Sequence, residues 1–194
     1  QESGPLIYGV EAAATVTSDT AMQVSAVWGA VRIISETIGS LPFDIYEVGP
    51  QGRKPAEFHP LRRLLTYKPN RYQTSVEFWE TMALNLALSG NAYAVIQRAG
   101  SRITSLLPLS SSQVETRLLD DGSVVHVYTS GADVKVYASQ NVWHIKLFGN
   151  GIVGLSPLSY ARNSVGIAIA ADNRVTKIHS NGAKPAGVLT IDAV

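Results

Sequence analysis

The residues best placed to do chemistry lie in one loop. Gly149-Asn150-Gly151-Ile152-Val153-Gly154 fits the pattern G-x-G-x-x-G, after a strand-like run and before a helix-like one. In the dinucleotide fingerprint such glycines let backbone amides approach a pyrophosphate at a helix start. Three features oppose that chemistry here. The fingerprint belongs to an early βαβ unit, whereas this loop follows a series of short β-like runs. Ser156-Pro157 places the helix start beyond the third glycine, which in the fingerprint lies within the packed helix. Asp172 stands at the spacing of a ribose-binding carboxylate, yet it falls in the middle of a helix. A turn between sheet and helix is the preferred reading. A nucleotide-binding enzyme using Gly149 to Gly154 stands as its rival.

The other reactive side chains form no constellation. In Gly154-Leu155-Ser156-Pro157-Leu158 a nucleophile elbow would need glycine where Leu158 stands. Ser156 reads instead as an N-cap before a proline at the first helical position. The four histidines, His59, His126, His144 and His179, show no i, i+3 or i+4 pairing, so no helical metal site is expected. His144, between Trp143 and Ile145, reads as a hydrogen-bonded structural histidine. Asp120-Asp121 reads as a turn, and Arg53-Lys54 and Arg62-Arg63 as solvated charges. The chain has no G-x-x-x-x-G-K-[ST] loop and no cysteine, which excludes disulfides, thiolate metal sites and thiol nucleophiles. The expectation is a non-enzyme with no catalytic, metal or cofactor-binding residues.

The elements that would position such residues are legible locally. Thr74 and Glu77 form a capping box that starts a helix with apolar residues on two flanks, Phe78, Met82 and Leu86 on one and Leu84 and Leu88 on another. Ser89-Gly90-Asn91 stops it, with Gly90 suited to a left-handed conformation, and Ala92 to Gln97 follows as a strand. Upstream, Thr20 to Leu41 reads as one helix with Val24, Val27, Trp28, Val31, Ile34 and Ile38 on its apolar face. Ile33 points to the polar side, where it reads as a scattered surface apolar residue or, as the sharper alternative, a subunit contact. Gly39 to Pro42 ends this helix. Phe43 to Val48 and Arg53 to Phe58 read as strands about a Gly49 to Gly52 turn, and Leu61 to Tyr67 as a short helix opened by His59-Pro60.

From Gly100 onward the pattern is β. Ile103 to Leu107, Val114 to Leu119, Val124 to Thr129 and Val134 to Tyr137 are short runs separated by turn residues, with Asp121-Gly122 as a hairpin signal, and Asn141 to Phe148 closes the meander. Pro157 then starts a helix to about Ser180. Tyr160, Ser164, Ile167, Ala171, Val175 and Ile178 share one face. Arg162, Gly166, Asn173 and Lys177 share the other, and Asn181-Gly182 caps the end. Val188 to Ile191 begins a further strand, so the chain reads as part of a longer protein. The fold class expected is α+β, a mostly antiparallel sheet with packed helices.

Length and charge bound the rest. The 194 residues suffice for one substantial core, or one domain and part of another. Only 16% of residues are charged, and weakly charged surface suggests surface meant to be covered. A net charge of +1 neither argues for nucleic acid nor excludes it. No apolar run reaches membrane-spanning length. Residues 1–20 read as an extended or disordered arm without the features of a signal peptide, and 21–194 as the folded region.

A series of landmarks in order resembles the portal proteins of tailed double-stranded DNA bacteriophages of the Hong Kong 97 type. They are Ile38-Gly39-Ser40-Leu41-Pro42; His59-Pro60-Leu61 with Leu64-Leu65 and Pro69-Asn70; Glu77-Phe78 followed by Gly90-Asn91-Ala92-Tyr93; Leu106-Leu107-Pro108-Leu109; His144-Ile145 followed by Gly154-Leu155-Ser156-Pro157-Leu158; and the run from Asn181 to Leu189. The resemblance implies a structural subunit of a ring, usually of twelve, at one capsid vertex of a virion, assembled in the bacterial host cytoplasm from phage or prophage genes. It implies a conduit for double-stranded DNA without sequence specificity, and docking of terminase, the major capsid protein and head–tail connector proteins. This chain would cover the N-terminal wing-like region, with the helix near 157–180 leading towards the stem. Arg162, Asn173 and Lys177 are the candidate DNA-facing or subunit-facing residues.

Overall fold

The computed structural model describes residues 16–180 and Gly182. In chain order the elements are α1 (Ser18–Ala21), α2 (Ser25–Ser40), β1 (Tyr46–Gly49), β2 (Gly52–Pro55), α3 (Arg62–Thr66), α4 (Ser75–Ser89), β3 (Asn91–Ala99), β4 (Arg102–Leu109), β5 (Val114–Leu118), β6 (Val124–Ser130), β7 (Asp133–Ala138), β8 (Val142–Lys146) and α5 (Pro157–Ser180). Every strand pairing among them is antiparallel, so the α+β class with antiparallel sheet is what the chain adopts. The strands divide into three sheets: the hairpin β1-β2, the sheet β4-β3-β8 and the sheet β5-β6-β7.

Helix α4 and strand β3 are the hub. Thr74 and Glu77 cap the helix reciprocally, and Gly90 ends it at φ 72°. β3 emerges at once, with Ala92, Tyr93 and Ala94 buried on both faces of the strand. A strand so covered needs partners on each edge. It takes β4 on one side and β8 on the other, with Tyr93 opposite His144 and Val95 opposite Val142. β8 therefore leaves the expected meander: Trp143 and Ile145 gain more by packing on the α4 core than by following β7. That core joins Phe78, Trp79 and Met82 of α4 to Ala92, Ala94 and Leu106. Trp79 stacks on Phe43 at 3.9 Å and lies edge-on to Phe78 and Trp143, while its indole N–H donates to the Leu65 carbonyl at 3.1 Å. Removing such a ring costs about 3–5 kcal/mol.

The free edge of β4 is partly closed by the loop before α4. The Leu106 N–H donates to the Pro69 carbonyl, and the Asn70 side chain donates to the Leu106 carbonyl while accepting from the amides of Tyr72 and Gln73.

The N-terminal helix differs from expectation in two ways. The stretch from Thr20 to Leu41 is two helices, because Thr17 and Thr20 close α1 as a capped turn and Val24 is extended before α2 starts. The buried stripe of α2 is Val31, Ser35 and Gly39, small residues that bring it close to α4; a Cβ on Gly39 would lie 2.5 Å from Glu80 Cγ and 3.1 Å from the Val76 carbonyl oxygen. Trp28 and Ile34, expected inside, are therefore exposed. The same happens to α5. Its covered side is Leu158, Val165, Ala168 and Ile169, packed on Ala21 and Val24, while Tyr160, Ile167, Val175 and Ile178 face outward. Periodicity marks apolar stripes but leaves the choice of stripe to the neighbouring element.

Smaller shifts have local causes. β1 starts at Tyr46 rather than Phe43, since Phe43 is stacked on Trp79 and Asp44 pairs with Arg62 at 2.8 Å. β2 ends at Pro55, and α3 begins at Arg62. Of the expected arm, residues 1–15 lie outside the described residues, and Ser18 to Thr20 belong to α1. The expected strand from Val188 to Ile191 also lies outside them. Gly182 sits at φ 71° just past α5. No described helix is long and apolar enough to cross a membrane.

Candidate functional site

The glycine-rich loop is built against the end of α4. Gly149 and Gly154 form an antiparallel bridge across it. The Asn150 side-chain oxygen accepts from the amides of Ile152 at 3.0 Å and Val153 at 2.9 Å. The Gly154 amide donates to Asn91 Oδ1 at 2.7 Å, the Leu155 amide to the Phe148 carbonyl, and the Leu147 amide to the Gly90 carbonyl. Lys146 Nζ donates to the Gly151 carbonyl. The amides that a pyrophosphate would need are thus engaged inside the chain, which removes the geometric basis of the nucleotide reading.

The glycines serve close backbone packing. A Cβ on Gly154 would lie 2.2 Å from the Gly90 carbonyl oxygen, and one on Gly90 would lie 2.0 Å from the Leu155 carbonyl oxygen. Ser156 caps α5 as expected: its hydroxyl accepts from the Ser159 amide at 3.2 Å and donates to the Leu88 carbonyl at 2.9 Å.

Behind the loop lies a polar cluster that spacing alone does not reveal. Asn91 Nδ2 donates to the carbonyls of Ser89 and Gly154, which fixes its Oδ1 towards the Gly154 amide and His144 Nε2, 3.0 Å away. His144 therefore carries its proton on Nε2. Its ring stacks on Tyr93 at 4.3 Å and meets the His126 ring edge-on at 5.4 Å. His126 Nδ1 lies 3.0 Å from the Thr116 hydroxyl, which also meets the Tyr93 hydroxyl at 3.0 Å. The cluster joins β3 and β8 to β5 and β6. Burial, with the charges of His126 and Lys146, pushes His144 down to about 4, and burial also lowers His126 and raises Tyr93. Burial favours the neutral form of both histidines, and the hydrogen bonds and ring contacts of the cluster tie the two sheets together. The alternation of β3, with Tyr93 between two buried alanines, was the available signal; the partner strands were not. Among the described residues no group of three metal-ligand side chains assembles.

The sequence-predicted surface residues lie on two helices. Arg162, Asn173 and Lys177 are all exposed on α5. Ile33 is 67% exposed on α2; on the same helix Arg32 lies over the Trp28 ring at 5.1 Å while paired with Glu36. Trp28 and Ile34 were missed as surface residues because their spacing marks them as core. On α5 the exposed Tyr160, Ile167, Val175 and Ile178 share one face, whereas the exposed apolar residues of α2 are spread around the helix.

Comparison with known proteins gives the same direction. The family model described as "Phage portal protein" matches residues 25–194. The portal protein of Enterobacteria phage HK97 is 34% identical over 97% of this chain, which covers 46% of that protein. The probable portal protein of Streptomyces phage phiC31 is 32% identical over 96% of the chain, covering 44% of it. The chain thus spans less than half the length of these relatives. Among solved structures, a chain in the neck of an empty gene transfer agent particle, computed with C6 symmetry, aligns with TM-score 0.73 at 23% identity, over 94% of this chain and 54% of that one.

Proposed function

Since the chain belongs to the phage portal protein family, we propose that it supplies the N-terminal, wing-like region of a structural portal-ring subunit, with α5 leading towards the stem. The ring has about twelve copies, in keeping with the C12 symmetry used for the neck of a related particle. It sits at one capsid vertex of the virion, after assembly in the host cytoplasm. Double-stranded DNA passes through it without sequence reading, and terminase, the major capsid protein and the head–tail connector dock on it. The protein is not an enzyme and holds no cofactor.

The observation that carries this reading is the uncovered apolar stripe of α5, Tyr160, Ile167, Val175 and Ile178, together with the exposed apolar side chains Ile33 and Ile34 on α2. A monomer gains nothing from them, whereas a ring buries them between subunits. Negative-stain imaging and light scattering of the full-length protein carrying this chain test it. Rings are expected, and Ile33→Asp is expected to reduce them while leaving the subunit folded. Monomers alone, across concentration and salt, sink the reading.

A further inference from the structure

A cleft of about 770 Å³ lies between the segment bearing Lys68 and Arg71 and the edge strand β4. Four cations line it, Arg63, Lys68, Arg71 and Arg102, and no carboxylate does. The ion pairs among the described residues lie elsewhere, at Arg32–Glu36, Arg62–Asp44 and Arg117–Glu115. Arg71 is held over the Tyr72 ring at 5.4 Å. Between the cations the wall is apolar, from Leu64, Ile103 and Leu107. On a chain with a net charge of only +1, such a cluster of like charges repels itself and is relieved by an anion.

The complement is on the same chain. Asp120-Asp121 is the only adjacent pair of carboxylates in the sequence. It tips the β5–β6 hairpin, closed by the Leu119 amide on the Ser123 carbonyl and the Gly122 amide on the Leu119 carbonyl, both at 2.9 Å. The Asp121 carboxylate is braced by the Ser123 amide and hydroxyl. Leu118 and Leu119 beside it are exposed, and Glu115 and Arg117 behind it neutralise each other. The result is a stiff wedge, acidic at its tip and apolar on its shoulder. In its own subunit this tip does not line the cleft.

A cyclic ring of identical subunits needs two different surfaces on each copy that fit one another. We propose that the acidic β5–β6 tip of one subunit seats in the basic cleft of the next, as a subunit–subunit contact of the ring. This rests on the portal-ring reading. The apolar wall of Leu64, Ile103 and Leu107 between the cations matches the apolar shoulder of the tip, which favours this occupant over the phosphates of duplex DNA.

The test is a charge swap in the full-length protein, read by light scattering and negative-stain imaging at physiological ionic strength. The cleft variant is Lys68→Glu with Arg71→Glu, and the tip variant is Asp120→Lys with Asp121→Lys. All four positions are exposed, and circular dichroism checks that each variant folds. Each variant alone is expected to lose rings by tenfold or more. Mixing the two should restore them, because every acidic tip then meets a basic cleft and every basic tip an acidic one; combining all four changes in one chain should also restore them. Rings undiminished in either variant, or loss without rescue, overturn the contact. Unchanged rings with weakened binding of a DNA duplex to the cleft variant overturn it in favour of a phosphate site. A wild-type protein that forms no ring sinks the portal-ring reading, and this contact with it.

Discussion

Asn91 and Gly154 clasp each other twice: the Gly154 amide donates to Asn91 Oδ1 at 2.7 Å, and Asn91 Nδ2 donates to the Gly154 carbonyl at 2.9 Å. The two residues are 63 apart in the chain. Their bond ties the end of α4 to the loop that launches α5, so the direction of the long helix is set at this point. The Asn91 carbonyl adds a further tie, accepting from the hydroxyls of Ser89 and Ser111.

Asn91→Ala removes both halves of the clasp and leaves the buried Gly154 amide and carbonyl without partners. Each such group costs about 1–3 kcal/mol. Urea titration should show a lower midpoint with an unchanged slope, a loss of at least roughly 2 kcal/mol by the same rule. A shift below about 0.5 kcal/mol, the size expected of an ordinary surface change, is the result that rejects the clasp.

Gly90→Ala should cost more than Gly122→Ala. Both residues have positive φ, 72° and 80°, so both substitutions carry the strain of roughly 1 kcal/mol or more that a Cβ meets there. Only at Gly90 does the new Cβ also collide with backbone, at the Leu155 carbonyl, whereas Gly122 has open space around it. Paired denaturation curves check the difference. Equal losses at the two sites contradict the close packing of the glycine-rich loop on α4.

Acid should weaken the fold in a window set by the histidines. His144 is held down to about 4 from an ordinary 6.5, so between those values the unfolded chain binds the proton and the folded chain does not. The stabilisation is complete above pH 6.5 and lost as pH falls towards 4. His126 is lowered by burial and acts in the same direction. Carboxylates held low by their partners, Asp44 by Arg62 and Glu77 by Thr74, lose their contribution at still lower pH. His144→Gln keeps a donor for Asn91 and does not titrate. Its melting temperature should fall less steeply from pH 6.5 to 4 than that of the wild type, and parallel curves refute the assignment.

Arg162→Ala with Lys177→Ala should leave stability within about 0.5 kcal/mol, since both side chains are exposed on α5. If α5 faces passing DNA, it touches phosphates only, because base contacts would be sticking points along a genome. Fluorescence anisotropy with two unrelated duplexes over a salt series should show weak binding, equal for both and falling with salt, and weaker still in the variant. Tight binding that discriminates between the duplexes would point to a sequence-reading protein.

The chain's own order determined what lies within a few residues of itself. Thr74 with Glu77, the stop at Gly90, the Asp121-Gly122 turn and Ser156 before Pro157 all appear where local reading puts them. Each rests on contacts three or four residues apart that need no third element. His144 as a hydrogen-bonded structural histidine was legible for a similar reason, since its apolar neighbours place it in a strand. Tertiary structure decided the rest. The pairing of β8 with β3, the exposure of Trp28 and Ile34, the outward face of α5 and the approach of His126 to His144 depend on partners distant in the chain. An apolar stripe states that something must cover it and not what does so, and a run of glycines permits close approach without naming the backbone that approaches. That is why Gly149 to Gly154 could be read in sequence as a turn between sheet and helix, and only the fold shows it as a packing surface for Gly90.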